Sequence, residues 1–157
     1  MADNLDGKVY PVGGAALTGL QYTLTDASDA TPTLVDAAIS LRIFALTGTV
    51  KITTEGVLDT KTRELPPTNA TPDLTLTVGS GLTRTTNGEN SQVGDILITK
   101  AQLTTLLGSA VLKAFSYTWV LTPVGVQDTA RPLGDGYDGV FALGREGYSL
   151  DALRKAA

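Results

Sequence analysis

The segment Phe115-Ser-Tyr-Thr-Trp-Val-Leu-Thr122 decides the fold class of this chain. Its side chains are large and apolar at positions 115, 117, 119 and 121, and smaller and mostly polar between them. Residues in a β-strand point alternately to opposite faces, so this period of two is typical of a strand with one dry face. Three aromatic rings on that face suit the centre of a core. The segment therefore predicts a central strand whose aromatic face is buried.

The same alternation recurs in several segments before this one, and Tyr137, Phe141 and Leu143 suggest a last strand after it. Turn residues separate these segments, because Gly, Asp and Ser favour turns and proline cannot donate to a β-ladder. About seven short strands without repeating βαβ units favour an all-β fold, a single antiparallel immunoglobulin-like β-sandwich. The other predicted strands are Lys8–Val12, Leu20–Thr25, Ile39–Leu46, Val50–Thr54, Leu74–Val78, Asp95–Ile98 and Tyr137–Leu143, with an exposed loop or loose hairpin over Gly79–Gly94.

Two short helices are expected within and after the strands. Thr99-Lys-Ala-Gln102 matches a capping box, in which the Thr hydroxyl and the Gln side chain each bond the other residue's backbone N–H. Leu residues follow at helical spacing, and Gly108 is suited to end this inserted helix. Ser149 is suited to cap a second, C-terminal helix that runs through Lys155.

The chain length fits one domain, since 157 residues can bury one good core. We expect residues 1–19 to form an extended arm, residues 20–148 the β-sandwich domain, and residues 149–157 a C-terminal helix and tail. Both ends are expected to reach a neighbouring subunit and to become ordered only on assembly.

Composition argues against several classes of function. The chain has no Cys and no His, which excludes His-based triads, thiol nucleophiles and Cys or His zinc sites. Its net charge of −4 comes without a basic stripe, so nucleic acid is not expected as a partner. Apolar runs such as Gly108–Phe115 are far shorter than the ~20 residues of a membrane span. We therefore expect no enzyme activity, no cofactor and no membrane contact.

Asp135 and Asp138, in Gly134-Asp-Gly-Tyr-Asp-Gly139, are the remaining candidates for a metal or catalytic site. Carboxylates in a Gly-rich loop could bind calcium, although the spacing of an EF-hand is not met. Asp and Gly are also ordinary turn formers. A plain turn is the preferred interpretation, with calcium binding second and a catalytic acid pair third.

Five aromatic residues allow two interpretations, a core or a sugar-binding face: Tyr10, Tyr22, Tyr117, Trp119 and Tyr148. Tyr117 and Trp119 share a face with Phe115 and Leu121, which favours the core. Tyr10 and Tyr148 lie near the ends of the chain and are candidates for contact with a neighbouring subunit, together with two leucines of the terminal helix. The predicted interface residues are Tyr10, Tyr148, Leu150 and Leu153.

Several segments carry a resemblance to a known family. The first group is a strand, a turn with a Val-Asp pair and a second strand. A strand that runs into a helical turn comes next, and a final hairpin ends the set. In this chain these segments are Leu20–Asp26, Val35-Asp36, Ala38–Leu46, Asp95–Leu103, Ser116–Leu121 and Gly139–Leu143. Together they resemble the N-terminal β-sandwich domain of bacteriophage baseplate upper proteins. The chain departs from that family by an insertion over Pro66–Asn90 and by ending soon after the domain.

The resemblance implies a virion structural protein assembled in the host cytoplasm. Such a protein is a tail, baseplate or neck component that holds other virion proteins through symmetric contacts, and a homo-oligomer is expected. The alternatives are a capsid decoration protein and a module that binds host glycans through Tyr10 or Tyr148, and a hydrolase is the least favoured one.

Overall fold

The computed structural model describes residues 4–25, 34–68, 71–124, 131–132 and 137–156. Most of the regular structure in these ranges is β-strand, with two α-helices and one 3₁₀ helix (Thr60–Glu64). The α-helices are α1 (Lys100–Leu107) and α2 (Leu150–Ala156). The strands are β1 (Val9–Val12), β2 (Leu17–Thr25), β3 (Ala38–Ala45), β4 (Leu74–Val78), β5 (Gly81–Leu82), β6 (Thr86–Asn87), β7 (Ser91–Ile98), β8 (Leu112–Thr122), β9 (Arg131–Pro132) and β10 (Asp138–Arg145).

These strands form one sheet that nearly closes into a barrel. The order is β1-β10-β8-β3-β4-β5-β7-β2, with β6 paired to β7 and β9 paired to β8. Asn4 precedes β1, at one end of this order, and contacts β2, at the other end. Its side-chain carbonyl accepts a 2.9 Å hydrogen bond from the backbone N–H of Gln21. The all-β class is confirmed. The expectation of a purely antiparallel fold is wrong, since β1 pairs parallel with β10 and β4 with β5.

The aromatic face of β8 lies in the barrel interior. Phe115, Tyr117 and Trp119 are buried, as the alternation predicts. The Trp119 ring lies 5.0 Å from that of Tyr22 on β2, and the Phe115 ring stacks 5.5 Å from that of Phe141 on β10. Large aromatic rings from three strands therefore meet at the centre of what we term the inner core.

A second apolar layer covers the outer face of β8 and β10. Residues 46–68, which we term the outer segment, cross that face and enclose a separate cluster, the outer cluster. Its buried members are Leu46, Val50, Ile52, Leu58, Ala114, Val140 and Ala142. The strand expected over Val50–Thr54 is not found, because Ile52 makes only a single antiparallel bridge, to Leu58.

The expected N-terminal arm is, from residue 4 onwards, part of the barrel. Leu5 is fully buried, and β1 runs beside β10 from Val9↔Ala142 to Val12↔Arg145. The carboxylate of Asp6 also accepts a 2.9 Å hydrogen bond from the backbone of Val140. An arm was expected because Gly and Pro interrupt the alternation of apolar and polar residues in this part of the sequence. In the structure, the backbone of β1 is held instead by its parallel pairing with β10.

The region around α1 combines a confirmed prediction with a refined one. Both hydrogen bonds of the capping box are present, from Gln102 N to Thr99 Oγ1 at 3.2 Å and from Thr99 N to Gln102 Oε1 at 2.9 Å. Of the two alternatives for Gly79–Gly94, the hairpin is found, since β6 pairs with β7. Gln92 in β7 is fully buried and donates from Nε2 to the carbonyl of Leu34 at 2.7 Å.

Candidate protein–protein interface

The four residues predicted to face a neighbour line one cleft of about 310 Å³. Tyr10 comes from β1, Tyr148 from the turn after β10, and Leu150 and Leu153 from α2. We term this site the terminal cleft, because both ends of the chain build it. Its other lining residues are Val9, Pro11, Gly56 and 144–147.

Parallel pairing between β1 and β10 brings the two ends of the chain together. Beyond the last pair, the backbone N–H of Glu146 donates to the carbonyl of Val12 at 2.9 Å. The Glu146 carboxylate then accepts a 3.0 Å hydrogen bond from the backbone N–H of Gly14. Arg145 fixes the same turn from the other side by donating to the carbonyl of Gly108 at 2.8 Å. The turn that carries Tyr148 is thus tied to β1 and to the end of α1.

Helix α2 forms the second wall of the terminal cleft. The hydroxyl of Ser149 accepts from the backbone N–H of Ala152 at 3.2 Å, which is the predicted N-cap. Asp151 lies in the first turn and the basic residues Arg154 and Lys155 in the last, as the helix dipole favours. The helix is held to the outer segment by a 3.3 Å hydrogen bond from Arg154 Nε to the carbonyl of Ile52.

Leu153 faces inwards from α2. It packs against the outer cluster, and a Cβ atom at Gly144 would lie 3.1 Å from Leu153 Cδ1. That distance is tighter than most Cβ contacts, so the glycine lets the helix lie close to β10. Leu153 therefore secures α2 to the barrel.

Exposure separates the four predicted residues into a base and a rim. Tyr10 is only 9% exposed, its ring meets Phe141 edge-on, and its hydroxyl donates to the carbonyls of Asn4 and Leu5 at 2.9 and 3.0 Å. In contrast, Tyr148 is 46% and Leu150 38% exposed. The structure thus places Tyr10 in the core of its own chain and leaves Tyr148 and Leu150 at the surface.

Val57 extends this surface and was not identified from the sequence. It is 42% exposed, and its neighbour Gly56 lies against Leu150, since a Cβ atom there would be 3.6 Å from Leu150 Cδ1. We term Val57, Tyr148 and Leu150 the apolar rim. A single valine carries no periodic signal. Only the folded chain reveals that Val57 forms an antiparallel bridge to Lys8, next to the glycine that lies against Leu150.

The acidic candidates are separated from this cleft. Asp138 begins β10, is exposed, and accepts a 2.6 Å hydrogen bond at Oδ1 from the hydroxyl of Thr118. Asp135 lies outside the described residues. Within the described ranges, no group of three or more His, Cys, Asp or Glu side chains is arranged to hold a metal ion.

The rings considered for a sugar-binding face in the strands are core residues. Tyr22, Tyr117 and Trp119 are all buried. Burial is the main cause that raises the pKa of Tyr22, whose hydroxyl donates to the carbonyl of Thr83 at 2.7 Å. Tyr148 is the exposed tyrosine of the apolar rim.

The fold and the terminal cleft together define an all-β domain. Strand β1 and helix α2 both line the cleft, beside the exposed apolar rim. No protein-family model matches the sequence, and no curated protein sequence matches it. Among solved structures, the periplasmic chaperone SfaE is similar over 92% of this chain, with 12% sequence identity and a TM-score of 0.34. The chain spans 57% of that chaperone, and so low a TM-score supports no statement about function. No helix of the described part is long and apolar enough to cross a membrane.

Proposed function

We propose that this protein is a structural subunit of a bacteriophage particle, a tail, baseplate or neck component. In this proposal it holds neighbouring virion proteins through symmetric contacts made by the apolar rim, and it has no catalytic, cofactor-dependent or nucleic-acid-binding role. The observation that supports the proposal is the apolar rim itself. Tyr148 and Leu150 are exposed where they line the terminal cleft, and the exposed Val57 follows the lining residue Gly56 in the chain.

The chemistry of the rim favours a protein partner. Exposed apolar side chains that lie together mark interaction sites more often than isolated ones do. Tyrosine is enriched at interfaces because its ring buries a large area while its hydroxyl stays hydrated. The rim also rests on a rigid base, since Leu153 and Tyr10 are anchored within the chain. A preorganised surface loses less conformational entropy on association than a flexible one.

We propose that the partner at this rim is a second copy of the chain. Most soluble oligomers are closed and symmetric, and a two-fold axis lets the same patch serve both subunits. We also propose that the fold is immunoglobulin-like. Support comes from the way β2 and β8 face each other across the core, where the Tyr22 and Trp119 rings meet.

The self-association is tested by measuring the molar mass of the purified chain by light scattering across a concentration series. The wild-type chain should be oligomeric, and the double variant Tyr148→Ser with Leu150→Ser should be monomeric. The matched control replaces Val78 and Leu97 by Ser, because both are similarly exposed but lie on β4 and β7. A wild-type chain that stays monomeric, or a control that dissociates equally, contradicts the proposed interface.

The particle assignment needs a separate measurement. A mass-spectrometric inventory of phage particles from the source organism should contain this chain at a stoichiometry that fits a ring or trimer. Labelled antibody in electron micrographs should then place it on the tail and not on the capsid shell. Absence from purified particles would refute the virion role, and labelling of the capsid would support the decoration-protein alternative.

A further inference from the structure

A second cleft, unrelated to the terminal cleft, lies on the outer face of the sheet. It has a volume of about 580 Å³, within the roughly 300–1,000 Å³ typical of small-ligand sites. We term it the sheet-face cleft. Its floor is formed by residues 116–118 of β8 and 138–140 of β10, and its walls include Phe44 at the end of β3 and two residues of the outer segment, Arg63 and Pro67.

Strand register explains how residues distant in sequence meet in this cleft. Ser116 of β8 is paired with Phe44 of β3 on one side and with Val140 of β10 on the other. Two residues further along β8, on the same face, Thr118 is paired with Asp138. A ring, two hydroxyls and a carboxylate therefore share one face of three adjacent strands.

The polar groups of the cleft are held in place before any ligand arrives. Arg63 Nη2 donates to Asp6 Oδ2 at 2.7 Å, while Asp6 Oδ1 accepts from the backbone of Val140. The hydrogen bond to Asp6 is the main cause that raises the pKa of Arg63. Asp138 is fixed by the 2.6 Å hydrogen bond from Thr118. Preorganised polar groups of this kind lose little entropy when they bind.

Glycine at position 139 preserves this arrangement. A Cβ atom there would lie 2.4 Å from the Tyr117 hydroxyl and 2.7 Å from Asp6 Oδ1. Such contacts would displace Asp6, and with it the guanidinium of Arg63. The side-chain-free position is thus what allows the acid and the arginine to approach β10.

The charge pattern selects the class of ligand. The side chain of Arg63 is 41% exposed but already offset by Asp6. Asp138 adds a negative charge, and Arg42, which is paired with Thr118 on the same face, adds a positive one. An anion would therefore gain no net attraction. A planar guanidinium and a planar carboxylate can each bond two neighbouring hydroxyls. Beside them, the Phe44 ring offers an apolar face to C–H groups.

From this geometry we propose that the sheet-face cleft binds a neutral carbohydrate, a short oligosaccharide whose hydroxyls bond Asp138 and Arg63 while one sugar ring lies against Phe44. The proposal is independent of the virion role and of the terminal cleft. It differs from the sugar site considered in the sequence, which would have used Tyr10 or Tyr148.

The test is a titration of the isotope-labelled full chain, monitored by amide ¹H–¹⁵N chemical shifts. The probes are maltose, lactose and N,N′-diacetylchitobiose, with 3′-sialyllactose as an anionic comparison. At least one neutral probe should cause saturable shifts at the amides of Ser116, Thr118, Gly139 and Val140. No saturable shift with any neutral probe overturns the proposal, as does tighter binding of the sialylated one or shifts confined to the terminal cleft.

Two variants assign the binding to named groups. Asp138→Asn should weaken the affinity about 10-fold or more, since hydrogen bonds to a charged group are the stronger kind. Phe44→Leu keeps an apolar side chain but removes the ring, and should weaken it by about 3-fold to 10-fold. Asp95→Asn, an exposed acid on β7, is the matched control and should bind as wild type does. Unchanged binding by both cleft variants overturns the assignment.

Discussion

The inner core and the outer cluster bury the two faces of the same strands with different kinds of side chain. The inner core holds the largest side chains of the molecule, among them Trp119, Tyr22 and Phe115, all almost entirely inaccessible. The outer cluster sets the small Ala114 and Ala142 of the sheet against aliphatic residues of the outer segment. Small residues on the sheet let a loop lie close to it. The inner core thus holds the strands of the barrel together. The outer cluster attaches the outer segment, with α2 packed against it, to the outside of that barrel.

The largest expected effect is that of Trp119→Ala in the inner core. Removing this side chain leaves a cavity between β8 and β2, and should lower the free energy of unfolding by about 3–5 kcal/mol. Urea denaturation followed by far-ultraviolet circular dichroism measures it without relying on tryptophan fluorescence.

Leu97→Ala is the control for that substitution. Leu97 is an exposed apolar residue on β7, so its truncation should change the free energy of unfolding by less than about 0.5 kcal/mol. A Trp119→Ala effect as small as that of Leu97→Ala would show that the aromatic face of β8 is not the centre of the fold.

The second prediction concerns Leu58→Ala in the outer cluster. This leucine retains slight exposure and lies in a segment that can relax, so the expected loss is about 2 kcal/mol, the low end for such substitutions. Hydrogen exchange should accelerate in the outer segment while the amides of β8 keep their protection, because segments with few contacts open locally.

Leu41→Ala provides the comparison, since Leu41 is fully buried in the inner core. It should lower protection across the whole sheet. If Leu58→Ala also accelerates exchange throughout β8, the outer cluster is not a separate layer and the contrast between the two regions fails.

The same contrast explains which parts of the fold were predictable. The face of β8 follows from alternation, and the start of α1 from the capping box at Thr99, because both depend on residues close in sequence. In β10, residues 139–144 are buried without a break, since both faces of that strand are covered. An alternating pattern cannot arise there. The parallel pairing of β1 with β10 and the path of the outer segment depend on partners distant in the sequence, among them Ala114 and Ala142.

The candidate site was predictable to a similar degree. Position near the ends of the chain and apolar character identified Tyr148, Leu150 and Leu153, which line one cleft. The same reasoning could not tell that Tyr10 lies against Phe141, since burial depends on the strand that pairs with β1. Val57 and the sheet-face cleft had no local signal, because they arise where the outer segment meets the sheet.

A smaller effect is expected from Thr99→Ala, which removes half of the capping box of α1. The backbone N–H of Gln102 loses its side-chain acceptor, so the free energy of unfolding should fall by about 1 kcal/mol. Urea denaturation measures this difference. Thr104→Ala is the control, because its hydroxyl bonds only to the Lys100 carbonyl within the helix and alanine has the higher helix propensity. A larger loss for Thr104→Ala than for Thr99→Ala would contradict the cap.

The smallest effect is a pH dependence confined to the outer segment. Asp59 caps the 3₁₀ helix, and the hydrogen bond from the backbone N–H of Lys61, with a further one from the Thr60 hydroxyl, holds its pKa below the ordinary value. A depressed carboxylate stabilises the folded state above its unfolded pKa, and that contribution is lost as the pH falls through the folded value. Wild type should therefore melt at a higher temperature than Asp59→Asn at neutral pH, and the gap should close below about pH 4.

Salt distinguishes the physical cause of this stabilisation. Because the hydrogen bond to the Lys61 backbone is the largest cause and the charge of Lys61 a minor one, the gap should persist at about 1 M sodium chloride, where exposed charges are screened. A gap that disappears in salt would assign the effect to the lysine charge. In either case hydrogen exchange in β8 should not change with this substitution, since Asp59 contributes to the outer segment and the inner core is built without it.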